Sequence, residues 1–275
     1  MENDGITIST YNELKTFLNM FKAGDLTLLI LQGECGIGKT EGIKEAFQGF
    51  DYVSLSTHIT PLSLHISCYE NKDKPICLED IDELLKSPIS VSLMKQLTET
   101  RTVKRLSYHS TSNRLTVPPS FETTSRVLIS CNALQADNPN MRALLSRGLY
   151  IRFEPTRDEL LRKMASILEK IDIVDLPLAQ RKEVLSFIVK HSAYAISLNL
   201  RHLCRGLCFY SYWLKHNDFD WKETLLKLMQ IDTKLAEVLM LMQSEKSVVE
   251  QVKLYKGSRS SYFAYKRQVQ KFKGK

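Results

Sequence analysis

The chain has 275 residues, of which 43% are hydrophobic and 25% charged, enough to fill one large core or a core with a smaller second domain. No stretch approaches the roughly 18 consecutive apolar residues of a membrane span. The acidic start, residues 1–4, lacks the apolar stretch of a signal peptide. The six cysteines are scattered through apolar segments, which favours reduced thiols. We therefore expect a cytoplasmic protein that does not contact a membrane.

The formal net charge of +7 is concentrated at the C-terminal end of the chain. Residues 251–275 hold eight of the 38 lysines and arginines and none of the 31 acidic residues, so the preceding residues carry a net charge of −1. Five aromatic residues interleave with these cations. A basic aromatic tail of this kind suits a nucleic-acid contact, a peptide that docks on a protein partner or a membrane-surface segment, and its aromatic residues and arginines favour the first.

The order of predicted elements divides the rest of the chain in two. Strand signals at 26–32, 51–55, 75–78, 126–131 and 149–153 alternate with helical spacing at 11–18, 61–69 and 87–99, and residues 100–117 alternate like a hairpin arm. Beyond Pro155 only helical patterns follow, at 157–170, 178–194, 199–215 and 221–250. The alternation predicts an α/β core with a parallel sheet over residues 1–155, and the change predicts a helical subdomain over residues 156–250.

A phosphate-binding loop follows the first of these strands. The segment reads Gly33-Glu34-Cys35-Gly36-Ile37-Gly38-Lys39-Thr40, the complete pattern G-x-x-x-x-G-K-T, and a helical segment comes after it. Glycines let backbone amides turn towards phosphate oxygens, Lys39 supplies charge to the β- and γ-phosphates, and the Thr40 hydroxyl is suited to Mg²⁺. The helix N-terminus adds its positive partial charge. The sequence therefore predicts a site for a nucleoside triphosphate with magnesium.

Two adjacent carboxylates follow the third predicted strand. Glu79 and Asp80 come directly after the apolar run 75–78, where one acid can organise Mg²⁺ and its neighbour can polarise the attacking water. The Asn-Lys-x-Asp segment of guanine-binding proteins does not occur after a later strand. This pair favours ATP hydrolysis.

Together these motifs resemble those of the AAA+ ATPases over about residues 25–215. The resemblance implies a P-loop parallel sheet followed by a helical lid, with ATP and Mg²⁺ as ligands and an oligomer of identical subunits. The family usually carries Asp-Glu at the acidic strand, whereas this chain has the reverse order. By position Glu79 corresponds to the magnesium-organising acid and Asp80 to the catalytic base, and the two acids can share the work. Paired acids of this variable kind also occur in the related superfamily 3 helicases.

The same resemblance implies roles for three further residues. Asn132, at the end of the fourth strand, is similar to sensor 1, which contacts the attacking water or the γ-phosphate. Arg147, in a Ser-Arg pair ahead of the fifth strand, resembles the arginine that clamp loaders deliver to the nucleotide of a neighbouring subunit, with Arg142 as the competing candidate. Arg201, in the first turn of a predicted lid helix, is similar to sensor 2, with Arg205 as the alternative.

The predicted hairpin indicates what such an ATPase acts on. Lys104, Arg105 and Tyr108 lie at the place where superfamily 3 helicases project a basic arm into their pore. The aromatic-hydrophobic-glycine loop of ring-shaped unfoldases is missing from residues 56–74. We therefore expect a DNA-acting ATPase, such as a helicase, a helicase loader or a transposition-type regulator. The alternative is a chaperone-like ATPase that remodels a protein complex through its tail.

Overall fold

A computed structural model describes residues 5–56, 59–81, 84, 87–109, 114–134, 139–244 and 246–273. The chain divides into two compact units, residues 1–156 and 157–275. Within the described ranges, no helix is both long and apolar enough to cross a membrane. Each unit has its own architecture, and the two follow one another at the point where the sequence changes from alternating strands and helices to helices alone.

Six parallel strands form the central sheet of the first unit. Their spatial order is β1-β8-β2-β7-β4-β3, and a separate two-stranded antiparallel hairpin contains β5 and β6. The strands are β1 (Ile6–Ile8), β2 (Leu28–Gln32), β3 (Val53–Ser56), β4 (Ile76–Glu79), β5 (Lys104–Ser107), β6 (Ser120–Thr123), β7 (Val127–Cys131) and β8 (Leu149–Phe153). Because all six strands of the sheet run the same way, their carboxyl ends meet at one edge, which is where ligands bind in open α/β sheets.

Helices cover both faces of this sheet. On one face, apolar residues of β2, β4 and β7 pack with those of three helices and of the hairpin, as buried central strands require. The helices of the first unit are α1 (Tyr11–Ala23), α2 (Lys39–Ala46), α3 (Pro61–Glu70), α4 (Pro88–Leu97) and α5 (Pro139–Leu145). The predicted α/β class with a P-loop parallel sheet is confirmed.

Local sequence signals set the ends of these helices. Thr10 and Glu13 form a capping box at the start of α1, and Gly24 ends that helix in the left-handed region with a φ of 101°. Ser87 caps α4, with proline in its first turn. Two features differ from the sequence prediction. The short edge strand β1 was not predicted, and the hairpin extends beyond residue 117 to residue 123.

The second unit consists of helices. They are α6 (Arg157–Ile167), α7 (Leu178–His191), a short 3-10 turn (Ser192–Tyr194), α8 (Leu200–His216), α9 (Trp221–Leu228), α10 (Thr233–Gln243), α11 (Val248–Leu254) and α12 (Arg259–Lys273). The helix predicted over 221–250 is divided into α9, α10 and the start of α11. Asp232 and Ser247 cap the N-termini of α10 and α11 and so mark the two interruptions. The helical region expected after the sheet is present.

Candidate nucleotide-binding site

The phosphate loop lies between β2 and α2, at the carboxyl edge of the sheet. Gly36 and Gly38 have φ values of 78° and 88°, which side chains other than glycine rarely adopt. A Cβ atom at Gly33 would approach the Phe153 carbonyl oxygen to 2.7 Å, so this position is also restricted to glycine. The Tyr11 hydroxyl donates a hydrogen bond of 2.7 Å to the Ile37 carbonyl and anchors the loop to α1. The loop conformation is therefore set by its glycines and by the neighbouring elements.

Lys39 is the first residue of α2, and only 6% of it is exposed. Its Nζ donates hydrogen bonds to the carbonyl oxygens of Gly33 at 2.6 Å and Glu34 at 2.9 Å. It also donates to Oδ1 of Asn132 at 3.0 Å. An ammonium group held by acceptors of the loop itself is directed at the space that the loop encloses, where phosphate oxygens can replace these acceptors.

The two acids at the end of β4 lie in different surroundings. Glu79 is buried and in register with Ser130 of β7, and it accepts a hydrogen bond of 3.1 Å from the Ser54 hydroxyl on β3. Asp80 is exposed and has a φ of 52°, a left-handed conformation that aspartate and asparagine tolerate better than other residues with a side chain. Asn132 lies opposite, with its Nδ2 3.5 Å from Oδ1 of Asp80.

Asn132 therefore connects the lysine of the phosphate loop to the exposed acid. Its carbonyl oxygen accepts from Lys39 and its amide nitrogen faces Asp80, across the ends of three neighbouring strands. The motifs and the family resemblance assigned these residues to one site, and the structure brings them together because the carboxyl ends of parallel strands share an edge. It did not predict the bonds from Ser54 and Tyr11, since no motif marks either residue. Register offers a signal for Ser54, because a hydroxyl on β3 is close to an acid on its neighbour β4.

These residues fit a magnesium ion beside a triphosphate. Thr40 follows Lys39 with an exposed side chain, and Glu79 and Asp80 supply carboxylate oxygens, the hard ligands that Mg²⁺ prefers. The left-handed glycines leave the loop amides free of side-chain obstruction. A bound Mg²⁺ would neutralise charge on the β- and γ-phosphates. Burial, and to a lesser degree the Glu79 carboxylate, raises the pKa of the Cys77 thiol, so this cysteine is a neutral neighbour of the site.

Comparison with known proteins tests the fold. No family model matches the sequence, and no curated protein matches it. Among solved structures, NtrX from Brucella abortus in complex with ADP has a TM-score of 0.52 at 10% sequence identity, with 98% of this chain and 69% of that chain covered. A point mutant of RuvB from Thermotoga maritima has a TM-score of 0.46 at 12% identity, with 92% and 86% covered. The chain has the AAA+ ATPase fold. The resemblance that the motifs indicated is thereby confirmed at the level of fold.

The AAA+ arginine candidates occupy different environments. Arg147 is half-buried, and its Nη1 donates a hydrogen bond to the Lys95 carbonyl of the same chain. Arg142, on α5, is exposed. In the second unit, Arg201 lies exposed in the first turn of α8. Asn199 is the N-cap of this helix, and its backbone N–H donates a hydrogen bond to Nδ1 of His202. Within the first unit, Arg142 is therefore the more accessible of the two arginines.

The hairpin only partly matches its predicted role. Arg105 is exposed, with its Nε donating to the Ser120 hydroxyl at 2.8 Å, and Tyr108 is half-buried with its ring 5.5 Å from that of His65. Lys104, predicted to contact nucleic acid, lies in the interior in this structure. Lys104 is 2% exposed, and its Nζ donates to the Ser125 carbonyl at 2.5 Å. Strand alternation gave the signal for this burial, because it places Lys104 on the same face as the buried Leu106.

The basic segment at the C-terminal end is folded. Residues 248–273 form α11 and α12 with the connection between them, and Tyr255 and Tyr262 are buried against Val238 of α10. The aromatic side chains that the sequence offers for base stacking therefore serve in part as a core. The cations remain outside: Lys253, Lys256, Arg259 and Arg267 are exposed.

Proposed function

We propose that this chain is a magnesium-dependent ATPase that couples ATP hydrolysis to action on DNA as an oligomer of identical subunits. The observation that carries the catalytic part is the connection from Lys39 through Asn132 to Asp80 at the edge of the sheet. It brings a phosphate-binding cation, a polar sensor and an exposed carboxylate together, as phosphoryl transfer to water requires.

Each residue of the site has a distinct task in this proposal. The loop amides and Lys39 bind the phosphates, and Thr40 and Glu79 hold the magnesium ion. Asp80 accepts the proton of a water whose oxygen attacks the γ-phosphorus, while the bond from that phosphorus to the β–γ bridging oxygen breaks and ADP leaves. Asn132 orients this water. For the second unit, the family resemblance implies Arg201 as sensor 2, with Arg205 as the alternative.

The DNA part of the proposal rests on the exposed cations of the hairpin and its flanks. Arg101, Arg105 and Arg114 carry exposed side chains there, and cations of this kind contact phosphates. The test is the steady-state ATPase rate of the full chain without DNA, with single-stranded DNA and with duplex DNA. We expect stimulation by at least one form of DNA, and we expect Arg105→Ala to reduce it. A rate that DNA leaves unchanged would contradict the coupling but not the ATPase.

Completion of the site by a neighbouring subunit is a separate part of the proposal. Exposed Arg142 is a direct candidate, whereas Arg147 must leave the Lys95 carbonyl before it can reach another subunit. Protein carrying Arg142→Ala or Arg147→Ala should regain part of its ATPase rate when mixed with Asp80→Asn protein, because some interfaces then combine an intact base with an intact arginine. Full activity of both arginine variants as monomers would contradict the proposal.

The second candidate function is remodelling of a protein complex by the same ATPase. The observation that favours it is the loss of Lys104 from the exposed face of the hairpin, together with the packing of Tyr108 beside His65. Both reduce the surface that the hairpin offers to nucleic acid. A full chain that hydrolyses ATP but has no affinity for DNA at low salt would favour this alternative.

A further inference from the structure

The last three helices form a small unit around their own core. α10 packs against both α11 and α12. Buried Leu235 and Val238 of α10 contact Val269 and Tyr262 of α12 respectively, and Tyr255 joins the second of these clusters. The arrangement is a longer helix followed by a short helix of seven residues and a final helix of fifteen. Three helices that bury a shared apolar face can hold the last helix in a fixed position.

The connection between α11 and α12 has four residues, 255–258, and contains Gly257. Its amide at Lys256 donates a hydrogen bond of 2.8 Å to Glu237 of α10. The Tyr255 hydroxyl lies 2.8 Å from the Ser261 hydroxyl, which ties the connection to the first turn of α12. A short helix, a tight turn with glycine and a longer helix are the parts of a helix-turn-helix motif.

Buried polar contacts fix α12 against its neighbours. The Tyr262 hydroxyl donates a hydrogen bond of 2.6 Å to Oε1 of Gln251 on α11, and Gln251 in turn donates to the Lys246 carbonyl at 2.7 Å. Tyr265 hydrogen-bonds Asp232, the residue that caps α10, and this bond raises the pKa of the tyrosine. Such contacts orient a helix more sharply than apolar packing alone.

The outward face of α12 has the composition of a surface that approaches DNA closely. Ser260, Ala264, Arg267 and Gln268 are exposed and recur at intervals of one, three or four residues, opposite the buried positions Tyr262 and Val269. Small side chains near the start of the helix allow close approach, whereas arginine and glutamine are the side chains that most often recognise guanine and adenine edges. The helix contains five cations and no acidic residue. Its charge complements the DNA backbone.

We infer that α10–α12 form a helix-turn-helix module that binds duplex DNA, with the Ser260–Gln268 face of α12 in the major groove. In this motif the second helix of the pair enters the groove and its N-terminal half contacts base edges. The inference rests on the proposed function in one respect, since both place DNA on this chain. It differs in assigning duplex recognition to the second unit, independently of the hairpin and of ATP.

The test is binding of the full chain, without nucleotide, to a labelled duplex and to the corresponding single strand, with a selection from a random duplex pool. We expect preference for duplex DNA and an enriched sequence. Ala264→Glu places a carboxylate in the centre of the face and should lower duplex affinity about tenfold or more. Ala179→Glu, on the exposed surface of α7, is the matched control and should change affinity less than twofold.

A second pair of variants tests the cations. Arg259→Ala with Arg267→Ala should reduce the slope of log affinity against log salt by about two and abolish the enrichment. Lys182→Ala with Lys190→Ala removes the same charge from exposed positions of α7 and should leave both unchanged. The basal ATPase rate should be equal in all four variants, and thermal unfolding checks their folding.

The outcomes separate this inference from the proposed function. Duplex affinity that survives both α12 changes but falls with Arg105→Ala would overturn the inference and leave the hairpin as the DNA contact. Wild-type protein with no duplex affinity at low salt would overturn this inference, and a further lack of affinity for single-stranded DNA would overturn both DNA assignments and leave the ATPase untouched. In that case the basic face would fit an acidic protein partner.

Discussion

Two lysines among the described residues are almost fully buried, and they differ in what surrounds the ammonium group. Lys39 bonds two carbonyls of the phosphate loop and the side chain of Asn132, all at the open edge of the sheet. Lys104 lies at the base of the hairpin and bonds the Ser125 carbonyl. One acceptor of Lys39 is the side chain of Asn132, which also faces Asp80. Lys104 instead bonds a backbone carbonyl and so connects two parts of the chain without a ligand.

The electrostatic consequences follow the same division. Burial, and to a lesser degree nearby Arg126, lowers the pKa of Lys104 to about 8, although Glu99 opposes the shift. A structural lysine of this kind reduces stability while it is charged. Lys39 stands instead at a helix N-terminus, where the positive end of the helix makes a cation unfavourable unless an anion is near. The comparison indicates that an unfavourably placed cation with replaceable acceptors marks a binding function, whereas burial alone does not.

The largest expected effect separates the two lysines directly. Lys39→Ala should weaken ATP binding by about 100-fold or more, because the phosphates lose their only point charge from the loop. Lys104→Met should leave ATP affinity within twofold. Titration with a fluorescent ATP analogue measures both, with far-UV circular dichroism as the folding control. Equal losses of ATP affinity in the two variants would show that the different surroundings of Lys39 and Lys104 have no functional meaning.

The next effect concerns the acid that Asn132 connects to Lys39. Asp80→Asn should retain ATP binding and lose turnover by about 100-fold, because an amide cannot accept the proton of the attacking water. Asparagine is the suitable replacement, since it tolerates the left-handed φ of 52° that Asp80 adopts, whereas alanine would add about 1 kcal/mol of strain. Normal turnover in Asp80→Asn with an inactive Glu79→Gln would reverse the roles assigned to the two acids.

The sequence was sufficient to locate the residues of the candidate nucleotide site because they lie at strand ends. Once the strands before Gly33, Glu79 and Asn132 are recognised, their parallel order brings the three segments to one edge. Position in a strand was not sufficient for Lys104. The alternation places Lys104 and Leu106 on one face of the hairpin but does not tell whether that face is covered, and α4 and the core cover it. Long-range packing decided that residue.

The C-terminal segment shows a second limit of the sequence. Its charge was evident, but the aromatic residues had two readings, stacking surface or core, and composition cannot distinguish them. The capping pattern Ser247 to Glu250 was a signal for a helix start that the overall charge obscured.

The edge strand β1 shows a further limit of the sequence. It has only three residues, too few for a periodic pattern, and it exists because β8 offers an edge to pair with.

A smaller effect sharpens the comparison at the hairpin. Arg105→Ala should lower the slope of log DNA affinity against log salt by about one, because one phosphate contact is lost. Lys104→Met, on the adjacent but buried position, should leave the slope unchanged although it removes the same charge. Fluorescence anisotropy over a salt series measures both. A reduced slope in Lys104→Met would mean that the lysine leaves the Ser125 carbonyl when DNA binds.

The smallest expected effect is a pH dependence of stability that belongs to Lys104. Its pKa of about 8 in the folded chain lies below the ordinary value of 10.5, so between these values the unfolded chain binds more protons. Stability relative to a variant without the lysine therefore rises with pH. The difference in unfolding free energy between wild type and Lys104→Met should shift in favour of wild type by about 1 kcal/mol from pH 7 to pH 9.

The comparison of the two proteins isolates this lysine, because tyrosines and cysteines that titrate in this range are common to both proteins and cancel in the difference. Denaturant unfolding at the two pH values measures the shift, and Lys72→Met, which alters an exposed lysine, is the matched control. A shift of the same size in the control would assign the effect to general charge repulsion. A shift confined to the Lys104→Met comparison would establish that burial of this lysine costs stability. It would also establish that the base of the hairpin keeps a cation for the bond to the Ser125 carbonyl.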